Sequence, residues 1–190
     1  MSFFAFGPSG NDLTRYNTLA EANAGATRWV PNKLADQAGH VNTENIDGTG
    51  HWEIYAYNPS GNDVAYTPYH LTFDGDEETN PKVIPWTNAG NDNRRHLVVP
   101  QDAVTAGTWG WYAFAGVCKC FVEGTTDVAK DDYLMLDTDS AAGLTSLITS
   151  GGAVETDSTV AIACEAQTVA SVTTAIRVIL LGDPKICDTQ

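Results

Sequence analysis

An alternation of apolar and polar residues with a period of two, beginning at residue 51, most constrains what this chain can fold into. In the segment 51–58, even-numbered and odd-numbered residues fall on opposite faces of a strand. One face has Trp52, Ile54 and Ala56, and the other has Glu53, Tyr55 and Tyr57. Further strand candidates follow at 64–73, 82–86, 94–100, 108–124, 132–138, 158–166 and 174–182. Short strands separated by turn signals are typical of an all-β barrel or sandwich.

The composition also favours a mainly β fold. Thr occurs at 22 positions, more often than Val or Leu, and β-branched residues favour strands. With 17 Gly and 8 Pro available for turns, the 190 residues are enough to bury one sizeable core. We therefore predict a compact β-barrel or β-sandwich over residues 46–190, preceded by an N-terminal arm over residues 1–45.

The N-terminal arm has two features of its own. Asp12 is a suitable N-cap for a short helix, because a narrow apolar stripe follows it. Before it, Phe3, Phe4 and Phe6 put three aromatic rings within four positions. Exposed rings cost free energy, so we expect these rings to bury against a neighbouring copy or a partner surface, or else to plug the protein's own barrel.

The charge of the chain excludes several classes of partner. Ten basic and 24 acidic residues give a formal net charge of −14, which repels phosphate. Neither nucleic acid nor an anionic membrane surface is therefore an expected partner. No apolar run is long enough to span a membrane, and the N-terminus lacks the regions of a signal peptide. We expect synthesis in the cytosol, with reduced cysteines.

Motifs for catalysis or cofactor binding are missing from the sequence: we find no nucleophile elbow, phosphate loop, zinc-protease or dinucleotide fingerprint. Cys118 and Cys120 share a strand face without the spacing of a zinc ribbon, so we expect them to be buried as small apolar side chains. We predict no enzyme activity, no metal and no cofactor. Acidic clusters at 74–78, 131–132 and 137–139 leave a weak calcium site or a hydrolase as alternatives.

Tryptophan residues are a second group of contact candidates. Trp29, Trp109 and Trp111 are predicted to fill the core or to contact a partner or a neighbouring subunit, where large aromatic side chains dominate the energetics. Trp109 and Trp111 share one strand face. An aromatic platform for sugar rings is an alternative, and it would add Tyr55, Tyr57 and Tyr69.

Two segments of the second half, 98–136 and 158–182, carry a recognisable pattern. The matching residues of the first segment are Val122, Gly124, Thr125, Thr126, Asp127, Val128, Ala129, Asp132 and Leu134, and the second segment contains AIACEAQT. Over roughly residues 95–182 the chain thereby resembles the capsid decoration, or cement, proteins of tailed bacteriophages. The family pattern has Gly where this chain has Asp131, which leaves the construction of the turn before Asp132 open.

The resemblance implies a non-enzymatic structural protein on the exterior of the virion, present in the host cytoplasm during assembly. Its expected partner is the major capsid protein, whose subunits it would bridge to stabilise the shell. Self-association is also expected, with a homotrimer favoured because shell sites often lie on three-fold axes. The predicted contact residues are Phe3, Phe4, Phe6, Trp29, Trp109 and Trp111. A carbohydrate-binding or host-adhesion module is the alternative function.

Overall fold

The structure is a computed structural model that describes residues 23–31, 50–73, 80–85, 96–122, 127–136, 144–146, 159–168 and 174–182. Ten strands occupy these ranges: β1 (Thr27–Pro31), β2 (Gly50–Asn58), β3 (Tyr69–Thr72), β4 (Lys82–Pro85), β5 (Leu97–Val98), β6 (Thr108–Val122), β7 (Tyr133–Leu136), β8 (Leu144–Ser146), β9 (Ala161–Ala163) and β10 (Thr174–Leu180). These ranges contain no helix, and hence none long and apolar enough to cross a membrane.

All ten strands belong to one sheet. Its order is β10-β9-β7-β8-β6-β2-β4-β3-β5, and β1 pairs antiparallel with β2. The strand β10 also returns to pair with β6, and just beyond β5 the backbone of Val99 bridges Ala113 of β6. Five strands, β6, β10, β9, β7 and β8, thereby pair with one another in a closed circuit. Among the described strands β1 pairs with β2 alone, so the sheet as a whole is open.

The long strand β6 organises this sheet, because its first half pairs with β2 and its second half with β10. On β2, Glu53 lies opposite Ala113, but the preceding residue, Trp52, lies opposite Ala115. Phe114 is therefore an extra residue that forms a β-bulge. One extra residue moves every later side chain of the same parity to the opposite face of the sheet.

A glycine just after the bulge lets the two strands approach closely. Gly116 has a φ of +93°, a conformation that L side chains rarely adopt. A Cβ at this position would lie 2.5 Å from the carbonyl oxygen of Gly50. The bend of β6 therefore depends on Gly at residue 116.

Two hydrophobic cores result, one on each face of the sheet. The first core contains Leu97, Val99, Ala113, Cys118, Cys120, Val122, Val128, Leu134, Ala161, Ala163, Ile176, Val178 and Leu180. The second core contains Ile54, Ala56, Tyr69, Leu71, Val83, Val98, Val104, Tyr112 and Phe114. Even-numbered residues of β6 thus face the second core before the bulge and the first core after it. We refer below to the first-core face and the second-core face of the sheet.

The predicted mainly β fold is confirmed: seven of the ten strands lie within predicted strand segments, and β2 begins one residue before its segment. The described strands form one open sheet, so of the predicted barrel or sandwich the closed barrel is not formed. The segment 64–73 becomes a strand only from Tyr69, directly after the buried Pro68, since Pro cannot donate to a strand ladder.

The strand β1 lies in the segment that the sequence assigns to an N-terminal arm. Thr27–Pro31 is instead part of the sheet, with Trp29 opposite Trp52 of β2. Five residues that end in Pro carry little strand signal of their own, so the pairing with β2 decides their conformation. The predicted short helix and Phe3, Phe4 and Phe6 lie outside the described residues.

Candidate contact surface

An aromatic ladder crosses β2 and β6 on the first-core face. Its members, in spatial order, are Arg28, Trp111, Tyr55, Trp109 and Tyr57. Tyr55 lies opposite Trp111 and Tyr57 opposite Trp109, so the strand register aligns the rings. The ring centroids of Tyr55 and Trp109 are 5.6 Å apart at an interplanar angle of 19°, and those of Tyr55 and Trp111 are 4.9 Å apart. The guanidinium of Arg28 lies 4.1 Å from the Trp111 ring centroid, a cation–π contact that closes one end of the ladder.

A buried carboxylate anchors the same arginine. Arg28 Nε donates to Glu53 Oε2 at 2.7 Å, and His51 Nε2 lies 3.1 Å from Glu53 Oε1. Burial by itself would raise the pKa of Glu53, but the hydrogen bonds with His51 and Arg28 outweigh it and hold the pKa below its ordinary value. The ionised carboxylate thus fixes Arg28 over the ladder and joins β1 to β2.

The ladder is poorly suited to hold a sugar. A sugar ring stacks on an aromatic face that is open to solvent, whereas these rings pack on one another and are partly buried. Tyr69, the third tyrosine of the predicted platform, is buried in the second core on the other side of the sheet. The arrangement therefore stabilises the pairing of β2 with β6.

An exposed apolar surface lies on the second-core face, beyond the end of the second core. Seven large hydrophobic side chains of the described residues are exposed, and five of them lie here: Trp29 (46% exposed), Trp52 (44%), Tyr133 (45%), Ile179 (38%) and Leu181 (47%). The half-buried Ala115, Val117 and Ile162 lie between them. We call these eight residues the apolar face.

The strand register aligns the apolar face across six strands. Trp29 of β1 lies opposite Trp52 of β2, which lies opposite Ala115 of β6. In the neighbouring row the register runs from Val117 of β6 to Ile179 of β10, Ile162 of β9 and Tyr133 of β7. Leu181 follows Ile179 by two residues and extends the surface beyond the end of β10. The exposed side chains therefore lie in two neighbouring rows. The second row curves around the outside of the first core, because β6, β10, β9, β7 and β8 pair with one another in a closed circuit.

The two tryptophans at one end of the apolar face form a fixed pair. Their ring centroids are 5.6 Å apart at an interplanar angle of 61°, an edge-to-face arrangement. Trp29 also lies directly against the first residue of β2, because a Cβ on Gly50 would come within 2.6 Å of its ring. Although packed in this way, both rings keep almost half of their surface in contact with solvent.

Charged residues of the described strands border the apolar face in a single row. Arg177 of β10 lies opposite Lys119 of β6, one step along each strand from Ile179 and Val117. Arg177 also donates to Glu165 Oε2, at 3.3 Å from Nε and 3.2 Å from Nη2. The apolar face thus lies beside a small group of both signs, on a protein whose net charge is −14.

The turn before β7 contains the residue at which the family pattern has Gly. Asp131 has a φ of +71°, in the left-handed region that Asp tolerates better than most residues. The Asp132 carboxylate accepts a hydrogen bond from the backbone of Ala129 at 2.8 Å. The backbone of Ala163 accepts from Asp131 and donates to Asp132, at 2.8 and 2.9 Å. The turn therefore keeps the backbone conformation that a Gly would adopt, and it joins the two segments of the pattern.

A buried carboxylic acid lies in the turn that follows β2. Asp63 is 2% exposed and accepts a hydrogen bond at 2.6 Å from the hydroxyl of Tyr112, which is fully buried. Its backbone exchanges two hydrogen bonds with that of Val104. Burial raises the pKa of Asp63 to about 6, although the Tyr112 hydrogen bond opposes the rise. This acid holds the turn against the second core.

The cysteines and acidic residues that the structure describes form no metal site. Cys118 and Cys120 are buried in the first core, as predicted, and burial raises the pKa of both thiols. Within the described ranges, no group of three or more His, Cys, Asp or Glu side chains is arranged to hold a metal ion. Residues 74–78 and 137–139, and Cys187, lie outside the described residues.

The structure separates the three predicted tryptophans that it describes. Trp109 and Trp111 are half-buried in the ladder, whereas Trp29 is exposed on the opposite face of the sheet. Sequence reasoning missed Trp52, Tyr133, Ile179 and Leu181 as members of an exposed surface. The signal for Ile179 and Leu181 was present in the segment 174–182, where apolar residues continue at both parities. Such a run is normally read as a strand buried on both sides.

Comparisons with known proteins find a structural neighbour but no family. No protein-family description matches the chain, and no curated protein matches it. Among solved structures, the N base of the head fibre protein gp8.5 of bacteriophage phi29 is similar to this chain with a TM-score of 0.43 and 15% sequence identity. The similarity covers 67% of this chain and 92% of that chain.

Proposed function

We propose that this protein is a non-enzymatic structural component of a phage virion, which binds the exterior of the assembled capsid. In this role it bridges subunits of the major capsid protein and stabilises the shell. The observation that carries the proposal is the turn at residues 129–132. Asp131 keeps a left-handed backbone at the position where the decoration-protein pattern has Gly.

The hydrogen bonds around this turn support the proposal because they link the two segments that carry the resemblance. Val128 and Gln167 exchange backbone hydrogen bonds at 2.9 and 2.7 Å, and both residues lie within the pattern. Asp131 and Asp132 bond to Ala163 in the same way. The segments 98–136 and 158–182, separated by 21 residues, are thus one structural unit, as expected of a pattern that specifies a fold rather than two unrelated turns.

Exposed apolar area is the second support. Monomeric soluble proteins rarely expose large continuous apolar patches, and such a patch typically marks a protein–protein contact. Trp29, a predicted contact residue, lies beside Trp52 in a row of exposed apolar side chains. Decoration by many copies would stabilise a shell by mass action, because the binding sites exist only on the assembled particle.

The test is to add the purified protein to undecorated mature capsids and image the particles. We expect a symmetric array of added density and greater resistance of the particles to heat and low salt. Capsids that gain neither density nor resistance would contradict the proposal. Saturable binding to glycans in place of capsids would favour the adhesion alternative.

A truncated variant tests the predicted role of the N-terminal rings. Deletion of residues 2–7 removes Phe3, Phe4 and Phe6, and we expect weaker capsid binding or weaker oligomerisation with nearly unchanged melting of the β core. Unfolding of the isolated monomer on this deletion would instead assign the rings to the protein's own core.

A further inference from the structure

We propose that the connection between β2 and β3, residues 59–68, is a pH-dependent conformational element, which protonation of Asp63 holds closed and ionisation of Asp63 opens locally. We call these residues the β2–β3 turn. The proposal does not depend on the proposed function. Three features carry it: the burial of one carboxyl, the neutrality of the groups around it, and the exposed and strained backbone on either side of it.

The β2–β3 turn contacts the core of the protein through an acidic side chain. From residue 59 to residue 67 Asp63 alone is buried, and its neighbours Asn62 and Val64 are both exposed. The Asp63 carboxylate accepts a hydrogen bond of 2.6 Å from the hydroxyl of Tyr112, which is fully buried in the second core. A titratable group therefore occupies the position at which an exposed turn is normally held by an apolar side chain.

The groups that face Asp63 do not compensate a negative charge. Tyr112 of β6 and Tyr69 of β3 are the titratable side chains that interact with it electrostatically. Burial raises the pKa of both hydroxyls, so both stay neutral at physiological pH. None of the ion pairs between described residues includes Asp63. Ionisation therefore puts a charge in the interior with no opposite charge from the described residues, and such a charge is costly to bury.

The direction of the pH dependence follows from this burial. The pKa of Asp63 is raised to about 6 in the closed turn, against an ordinary value of 3.8. The proton therefore stabilises the closed turn fully below pH 3.8, and this stabilisation is lost as the pH rises through 6. Opening returns the carboxyl to water, where it ionises freely, so a rise in pH favours the open turn.

The contacts of the β2–β3 turn allow it to open without unfolding the sheet. Asp63 and Val104 exchange backbone hydrogen bonds of 2.9 and 3.1 Å, but this pairing is an isolated bridge outside the strands. The backbone of Val64 donates to the Tyr69 hydroxyl at 2.8 Å. Segments with an exposed backbone and few buried side chains open at a lower free energy than the protein as a whole.

Backbone strain within the turn also favours opening. Tyr66 has a φ of +68°, in the left-handed region that a bulky side chain rarely adopts. Its backbone donates to the Pro100 carbonyl at 2.7 Å and accepts from the backbone of Phe121 at 2.8 Å, and its ring contacts that of Phe121 edge to face. A strained conformation of this kind persists where the surrounding contacts impose it. Release of the turn relieves the strain, which lowers the free energy of opening.

The test measures hydrogen exchange of the Asp63 and Val104 backbone amides by NMR between pH 5 and pH 8. The measured rates are divided into the intrinsic rates at each pH, so that the resulting protection factors report the opening equilibrium. With pKa values of about 6 closed and 3.8 open, we expect protection to fall about tenfold over this interval. Because the opening is local, the exchange should be insensitive to low concentrations of urea, which accelerate exchange through global unfolding.

Two matched variants assign the effect to one carboxyl. Asp63→Asn keeps an oxygen that can accept from Tyr112 but removes the titration, so protection should no longer depend on pH. Asp102→Asn removes an exposed carboxyl two residues before Val104 and should retain the tenfold fall. Circular dichroism shows whether each variant is folded.

Three results would overturn the proposal. The first is wild-type protection that stays constant from pH 5 to pH 8. The second is a fall in protection that low urea accelerates in step with global unfolding, because the opening would then not be local. The third is a fall that Asp63→Asn retains. If this variant does not fold, the carboxyl ¹³C titration of Asp63 in the wild type decides: a pKa near 6 supports the proposal, and an ordinary pKa overturns it.

Discussion

The buried Asp63 makes the stability of this protein depend on pH in an unusual direction. Its folded-state pKa, about 6, lies above its ordinary value of 3.8. A raised carboxyl pKa means that the folded state holds the proton more tightly than the unfolded state. The resulting stabilisation is fully present below pH 3.8 and is lost as the pH rises through 6.

The magnitude follows from the two pKa values. Their difference corresponds to about 3 kcal/mol at most, and about 1.4 kcal/mol of this is lost between pH 5 and pH 8. Asp63→Asn removes the titration while its side-chain oxygen can still accept the hydrogen bond from the Tyr112 hydroxyl. The variant should therefore lose less unfolding free energy than the wild type over this interval, by about 1.4 kcal/mol.

The assay is urea unfolding of both proteins at pH 5, 6, 7 and 8, with the difference in unfolding free energy plotted against pH. Using the difference cancels the other carboxylates, which titrate in both proteins. Tyr112→Phe provides a second check, because loss of the donor removes the interaction that opposes the rise, and the pH at which stability is lost should move upward. A difference between wild type and Asp63→Asn that stays flat from pH 5 to pH 8 would refute the reasoning.

Three further substitutions test other parts of the fold by urea unfolding. Gly116→Ala should lower the free energy of unfolding by about 2 kcal/mol or more, because the added Cβ would meet the Gly50 carbonyl. Gly107→Ala is the control: Gly107 also has a positive φ, but a Cβ there meets open space, so the loss should be smaller. Equal losses for the two variants would contradict this reasoning. Arg28→Ala should lower the free energy of unfolding by about 2–3 kcal/mol, since Glu53 stays buried with His51 as its remaining side-chain partner among the described contacts. A change below about 0.5 kcal/mol would show that the ion pair contributes little. Asp131→Gly should gain up to about 1 kcal/mol by relieving the left-handed backbone, and a loss would argue against that conformation.

The turn chemistry of this chain was readable from local sequence. Residues 59–63, with the sequence PSGND, form a turn in which Gly61 has a φ of +73° and the Asn58 side chain donates to the Gly61 carbonyl. Short-range rules suffice there because the constraint lies within five residues. The two glycines of β6 have different reasons that local sequence does not separate: Gly116 takes a positive φ, whereas at Gly110 the close approach of Val104 leaves no room for a side chain.

The candidate surface was much less predictable, because exposure depends on residues far apart in the chain. Trp109 and Trp111 share a strand face, as predicted, but Tyr55 and Tyr57 of β2 bury much of that face. Trp29 was a predicted contact residue, yet its partner Trp52, 23 residues later, became visible only through the pairing of β1 with β2. The N-terminal rings and the predicted helix are still predictions.

The sequence by itself determined that the chain is built from strands, where most of them lie, and which alternate side chains of a strand share a face. The tertiary structure decided which of the two faces is covered. The bulge at Phe114 exchanges the faces of β6 midway, so residues of one parity enter the second core and later residues of the same parity enter the first. A period of two fixes only that neighbours point in opposite directions, and a one-residue change of register, set by strands distant in sequence, reverses which of them is buried.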